Sequence, residues 1–271
     1  MFAQEISTGR ARPPSDGDRR SIGIGLALLA AAGLTSLLAA PVERLVPVEA
    51  PVMVVRVLAI VQPAILTVAA LMLGLVLAPR VGLGAPYLAG KEWIDYRSLG
   101  LRRDLGIALT VAVVGGLILL AYQIWSSDLL RSLDPTAYAR IADLSPPLIT
   151  RLLYGGLTEE VIARWGVMTL LVWLLGFGVP KGRARPAWTY WAAAILAGLL
   201  FAAGHLPLLY ALLADPPTDL IVAVIALNTL LGVAFGWLYW KAGIEAAMLA
   251  HALTHAVAAA LGALVGTGGL S

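Results

Sequence analysis

Residues 154–164 read Tyr154-Gly-Gly-Leu-Thr-Glu159-Glu160-Val-Ile-Ala-Arg164, inside an apolar stretch that runs from Pro147 to Phe177. Charged side chains at the centre of a bilayer cost about 2.5–3.5 kcal/mol each on insertion scales. Three of them within six residues need partners elsewhere in the protein. Two later apolar stretches supply imidazoles: His205 in one, His251 and His255 in the next. The chain reads as a helical membrane protein that gathers ionisable groups from three spans.

Composition agrees. Of the 271 residues, 60% are hydrophobic and only 13% charged, where soluble domains carry about a quarter charged. Mean hydropathy is +0.87. With zero cysteines, disulfides, thiolate metal sites and a cysteine nucleophile are all excluded. The net charge of +3 does not signal nucleic acid, because the basic residues lie at the ends of apolar stretches, where they act as orientation signals.

Stretches long enough to cross about 30 Å of hydrocarbon run near Ile22–Ala40, Val52–Ala78, Leu105–Trp125, Pro147–Phe177, Tyr190–Leu213, Leu220–Trp240 and Ile244–Val265. The expected fold is therefore all-α, a polytopic bundle of about seven spans. The fourth is long enough to tilt, kink or include an interfacial piece, and Pro63 is expected to bend the second. With the N terminus inside, thirteen of nineteen basic residues fall on the inner side, which the positive-inside rule favours. No cleavable leader is evident, so the first span is expected to be retained.

Three parts are expected along the chain. Residues 1–21 form a disordered inner tail, 22–104 hold two spans and an inside loop, and 105–271 form the core that carries the site. The first two spans are expected to be loosely coupled to that core.

Glu160 and Arg164 are four residues apart and so share a helix face, where they can form a charge-assisted pair. Glu159 points about 100° away. Its like-charged neighbour and apolar setting suit a general base. His205 sits in Phe201-Ala-Ala-Gly-His205-Leu-Pro207, where Pro207 lacks a backbone donor and loosens the local ladder. His251 and His255 again share a face. Such a pair suits a metal or hydrogen bonding to a developing oxyanion, and the sequence leaves both open. At 1.5 Å per residue, Glu159, His205 and His251 lie roughly 18, 22 and 11 Å along their spans, deep enough to meet.

Taken together, Glu159-Glu160-Val-Ile-Ala-Arg164, Phe201-Ala-Ala-Gly-His205 and His251-Ala-Leu-Thr-His255 resemble the three motifs of the CPBP family, the CAAX-protease and bacteriocin-processing intramembrane proteases. The resemblance covers roughly residues 147–265. It implies a membrane protease that cleaves a membrane-embedded or lipidated peptide. Glu159 would activate water with His205 assisting, His251 and His255 would steady the oxyanion, and Glu160 and Arg164 would fix the geometry. The family's frequent asparagine at the last position is His255 here, and Ala163 replaces a larger residue before Arg164.

The expected mechanism uses no cofactor. Zinc held by His205, His251, His255 and Glu159 is the alternative. A non-catalytic member of the same fold, acting in binding, secretion or immunity, is the alternative function. A proton-coupled transporter is disfavoured because no internal repeat appears. The Cys-free composition, rich in Ala, Leu, Gly and Arg, suggests a bacterial inner membrane.

Overall fold

A capping box opens the first helix. The Ser15 hydroxyl accepts from the Asp18 amide at 3.2 Å, and the Asp18 carboxylate accepts from the Ser15 amide at 2.8 Å. This cap starts α1 (Asp16–Ser36) inside what composition alone assigns to the tail. The structure is a computed structural model that describes residues 15–44, 50–89, 100–179 and 185–266. The rest of the expected tail, residues 1–14, lies outside the described residues, as does 90–99 of the inside loop.

Seven further helical elements follow: α2 (Val52–Leu77), α3 (Leu101–Leu133), α4 (Pro135–Asp143), α5 (148–175), α6 (Ala187–Leu212), α7 (Thr218–Ala242) and α8 (Ile244–Leu264). No strand occurs among the described residues. The protein is an integral membrane protein with an all-helical, polytopic architecture.

Six of these helices, α1, α2, α3, α6, α7 and α8, are long and apolar enough to cross a membrane. Seven crossings were expected, and α5 accounts for the difference. Arg151, Glu159, Glu160 and Arg164 lower its hydropathy, and its backbone is divided. Leu148–Thr150 and Thr169–Leu175 are α-helical, while Arg151–Glu159 and Val161–Met168 are π-helical. A π-helix closes i→i+5 bonds and is wider than an α-helix, a geometry frequent at functional sites.

Most of α5 is interior. The Thr158 hydroxyl donates to the Ala30 carbonyl at 2.9 Å, and that of Thr150 to the Ser36 carbonyl at 2.8 Å, which stitches α5 to α1. Trp165 lies against α2, its indole 3.4 Å from the Leu71 carbonyl oxygen. On the opposite side, a Cβ at Gly156 would come within 2.6 Å of the Ala252 Cβ and 2.9 Å of its Cα. Only glycine lets α5 and α8 approach this closely. One continuous core joins residues of α1, α2 and α5 to α6, α7 and α8, so the first two spans are fully coupled to the rest.

The inner ends are tied as well. Glu245 accepts from the Tyr87 and Leu88 amides at 2.8 and 2.9 Å rather than from Lys241. Lys241 instead lies 3.5 Å from the centre of the Trp240 ring. Arg56 is tied to the segment between α1 and α2. It forks onto Glu43 at 2.9 and 2.7 Å and donates to the Leu38 carbonyl at 2.8 Å.

Candidate active site

Glu159 and Glu160 part company as soon as they leave the α5 backbone. Glu160 is fully buried, and one of its oxygens, Oε1, serves two partners. The His251 Nδ1 lies 2.8 Å from it, and the Arg164 Nη1 lies 3.2 Å away. The arginine contact is ionic rather than an aligned hydrogen bond, for Nη1 has no hydrogen-bond partner of acceptable geometry. The Arg164 guanidinium also sits 5.4 Å from the Phe201 ring and 5.5 Å from the Phe235 ring, close enough for cation–π attraction. A buried charge pair of this kind is costly to break, because removal of one member strands the other.

Glu159, half-buried, takes a different direction and lines a partly enclosed cavity of about 80 Å³. About one probe sphere, roughly 10–15 Å³, suffices for one water, so this space holds several. Arg164 completes the α5 wall. Phe201 and His205 enter from α6, and His251, Thr254 and His255 from α8. Helix α7 closes the side with Asn228, Gly232, Phe235 and leucines, and α3 contributes Leu119. Five of the six sequence-derived site residues thus share one cavity, and the sixth, Glu160, lies behind it holding His251.

The histidines are oriented by their second nitrogens. The His205 Nδ1 is 2.9 Å from the Phe201 carbonyl oxygen, which can only accept, so Nδ1 carries the proton. In the neutral ring this leaves Nε2 as an acceptor. The His205 ring also lies edge-on to Phe201, with centroids 4.7 Å apart. His251 stacks on Phe235 at 4.7 Å and on His255 at 5.2 Å. Gly155 makes room for this pair: a Cβ there would lie 3.2 Å from the His255 Nε2 and 3.6 Å from the His251 Nε2.

Zinc on His205, His251, His255 and Glu159 is the alternative the sequence leaves open. Metal-binding lone pairs lie in the imidazole planes, and the His251 and His255 planes are inclined by only 27° in a stack. Among the described residues, no group of three or more His, Cys, Asp or Glu side chains could hold a metal ion.

Several wall residues were not expected. Asn228 faces the cavity while its amide donates to the Val224 carbonyl at 2.8 Å. Phe235 and Thr254 carried no signal beyond their places near a glycine and a histidine. Beside the site, Arg151 has Nε and Nη2 buried without hydrogen-bond partners among the described residues.

Residues 142–257 match the family model described as type II CAAX prenyl endopeptidase Rce1-like. That stretch is a domain of the CPBP/CAAX protease family. The matched stretch contains every cavity residue except Leu119. No curated protein and no solved structure matches the chain. The family so described is one of hydrolases, proteases whose substrates are membrane-associated.

Proposed function

We propose that the protein is an intramembrane endopeptidase in which Glu159, assisted by His205, activates a water for attack on a peptide bond. The observation that carries this is the meeting of Glu159, His205 and His251 around one cavity large enough for water. Its substrate is a membrane-associated protein or peptide processed in the CAAX or bacteriocin manner. The setting we infer is a bacterial inner membrane.

Glu159 takes a proton from the water as its oxygen bonds to the peptide carbonyl carbon. The Nε2 of His205 accepts a hydrogen bond from the same water and aims it. Negative charge then develops on the carbonyl oxygen. His251, whose Nδ1 is engaged by Glu160, presents its Nε2 to that oxygen and, when protonated, donates to it. His255 and the Asn228 amide border the same space. The C–N bond breaks as the amine leaves with the proton that Glu159 carried. General-base assistance of this kind is worth about 10²–10⁴-fold, and an oxyanion donor about 10²–10³-fold. Glu160 and Arg164 touch no reacting atom; they position His251.

In proteoliposomes, Glu159→Gln and His205→Ala should each abolish cleavage of a membrane peptide while the protein still accumulates. Full cleavage by either variant removes the assignment. Absence of cleavage by the native protein across a peptide library would favour the binding function instead.

A further inference from the structure

The two ends of the bundle are built differently, and the cavity belongs to one of them. At one end, residues 81–89 lie across the starts of three helices. The Tyr190 hydroxyl of α6 donates to the Val81 carbonyl at 2.5 Å, and the Ile244 amide of α8 to the Gly84 carbonyl at 3.1 Å. The Tyr87 hydroxyl reaches Asp104 of α3 at 2.9 Å. At the other end, α4 joins the turn after α1 to the last turn of α6, through Arg44 on Asp143 and Arg140 on the Leu212 carbonyl.

The main core fills the bundle from the first end up to the cavity and stops there. Its buried residues run from Tyr190 to Ala197 on α6, short of Phe201, and from Ile244 to Ala250 on α8, short of His251. On α5 and α7 they run from Val161 to Val172 and from Phe235 to Ala242, past Glu159 and Asn228. Trp165, Met168, Leu238 and Tyr239 are each no more than 1% exposed there, and interiors packed this way hold few voids larger than a water. Beyond the cavity, the described residues form only two small clusters, one around Leu130 and Leu213 and one around Leu119 and Ala258. Helix α6 leaves the packing at this level. Ala203, Gly204, Pro207 and Leu208 are exposed in the isolated chain, and a Cβ added at Gly204 would meet nothing within 4 Å.

We propose that the cavity is reached from the outer side of the membrane, so that its substrate is a peptide segment presented in the outer half of the bilayer. The inference rests on the peptidase reading above and narrows its substrate class. Sidedness follows from charge. The tail, loops and helix ends on the side of residues 81–89 carry thirteen of the nineteen basic residues, and such residues are retained on the inner side. Those at the α4 end are answered locally: Arg56 by Glu43, Arg44 by Asp143, and Arg131 by the Tyr138 ring and hydroxyl. The packed core therefore stands between the cavity and the inner side, and the open half of the bundle faces outward. His205 precedes the end of α6 at Leu212 by seven residues, about 10 Å at α-helical rise. A substrate held wholly on the inner side does not meet Glu159.

The absence of cysteine from the chain makes the test direct. Single cysteines are placed in the cavity wall (Asn228→Cys, with Leu227→Cys as a second position), at the α4 end (Asp219→Cys) and beside residues 81–89 (Arg80→Cys). Sealed vesicles of known orientation are then treated with a membrane-impermeant sulfonated thiol reagent. From the outer side, the wall cysteines and Asp219→Cys should be labelled and Arg80→Cys spared. The wall cysteines should react at least tenfold faster from that side than from the inner one. Labelling of the wall from the inner side, or from neither side, overturns the proposal, as does labelling of Arg80→Cys from outside. These readouts need no turnover, so their failure is separate from failure of the peptidase assignment. In proteoliposomes of sorted orientation, a membrane peptide added only to the outside should be cleaved where the α4 end faces out. Cleavage only where residues 81–89 face out would overturn the access route and leave the peptidase intact.

Discussion

Helices α2 and α5 are nearly equal in length and opposite in character. Helix α2 carries one charged residue, Arg56, and turns Met53, Leu58, Ile65, Val68 and Met72 outward, each more than 60% exposed in the isolated chain. Helix α5 carries four charged residues and hides most of its surface against α1, α2 and α8. In a bilayer the exposed face of α2 meets acyl chains as apolar as itself, so its side chains specify little. Every charged residue of α5 must be answered by a particular partner. Uniform hydrophobicity marks a lipid-facing span, and a span that departs from it marks the interior and the chemistry.

This contrast predicts unequal costs of substitution. Arg164→Ala leaves Glu160 and His251 buried without their cation, and should lower stability by about 3–5 kcal/mol, read as unfolding in detergent. Gly156→Ala forces a methyl group against the Ala252 backbone and should cost about 1–3 kcal/mol. On α2, Leu58→Ala or Val68→Ala should change stability by no more than about 0.5 kcal/mol. A loss of several kcal/mol from Val68→Ala would show that this face packs against protein instead of lipid.

The loop between α1 and α2 gives the smallest effect, a pH dependence. The Arg56 fork holds the Glu43 carboxyl at about 2, below its usual 4.5. A folded-state value below the unfolded one means stability present above about 4.5 and lost as pH falls toward 2. Melting temperature should decline across that window, and Glu43→Gln should flatten the decline.

Much of this was legible in sequence because membrane insertion makes charge expensive. The six apolar spans, the shared face of Glu160 and Arg164, and the diverging direction of Glu159 all follow from hydropathy and helical spacing. The π-helical backbone of α5 did not, since no residue type encodes an i→i+5 ladder. Gly155-Gly156 was its closest trace, and those glycines serve the approach to α8. The placements of Asn228 and Arg151 were not legible for a related reason. Which way a lone polar side chain points depends on helix rotation, and periodicity cannot fix rotation in helices apolar on every side. Thr150 and Thr158 tie α1 to the core by bonding to its backbone carbonyls, and Trp165 ties α2 through the Leu71 carbonyl, contacts with no sequence pattern.

Two adjacent carboxylates with separate tasks are the centre of the account, and they can be set against each other directly. Peptide turnover and melting temperature should be measured in parallel for Glu159→Gln and Glu160→Gln. The account predicts that Glu159→Gln loses turnover and keeps its melting temperature, while Glu160→Gln melts lower because His251 and Arg164 lose their shared anion. Turnover that survives Glu159→Gln would contradict it.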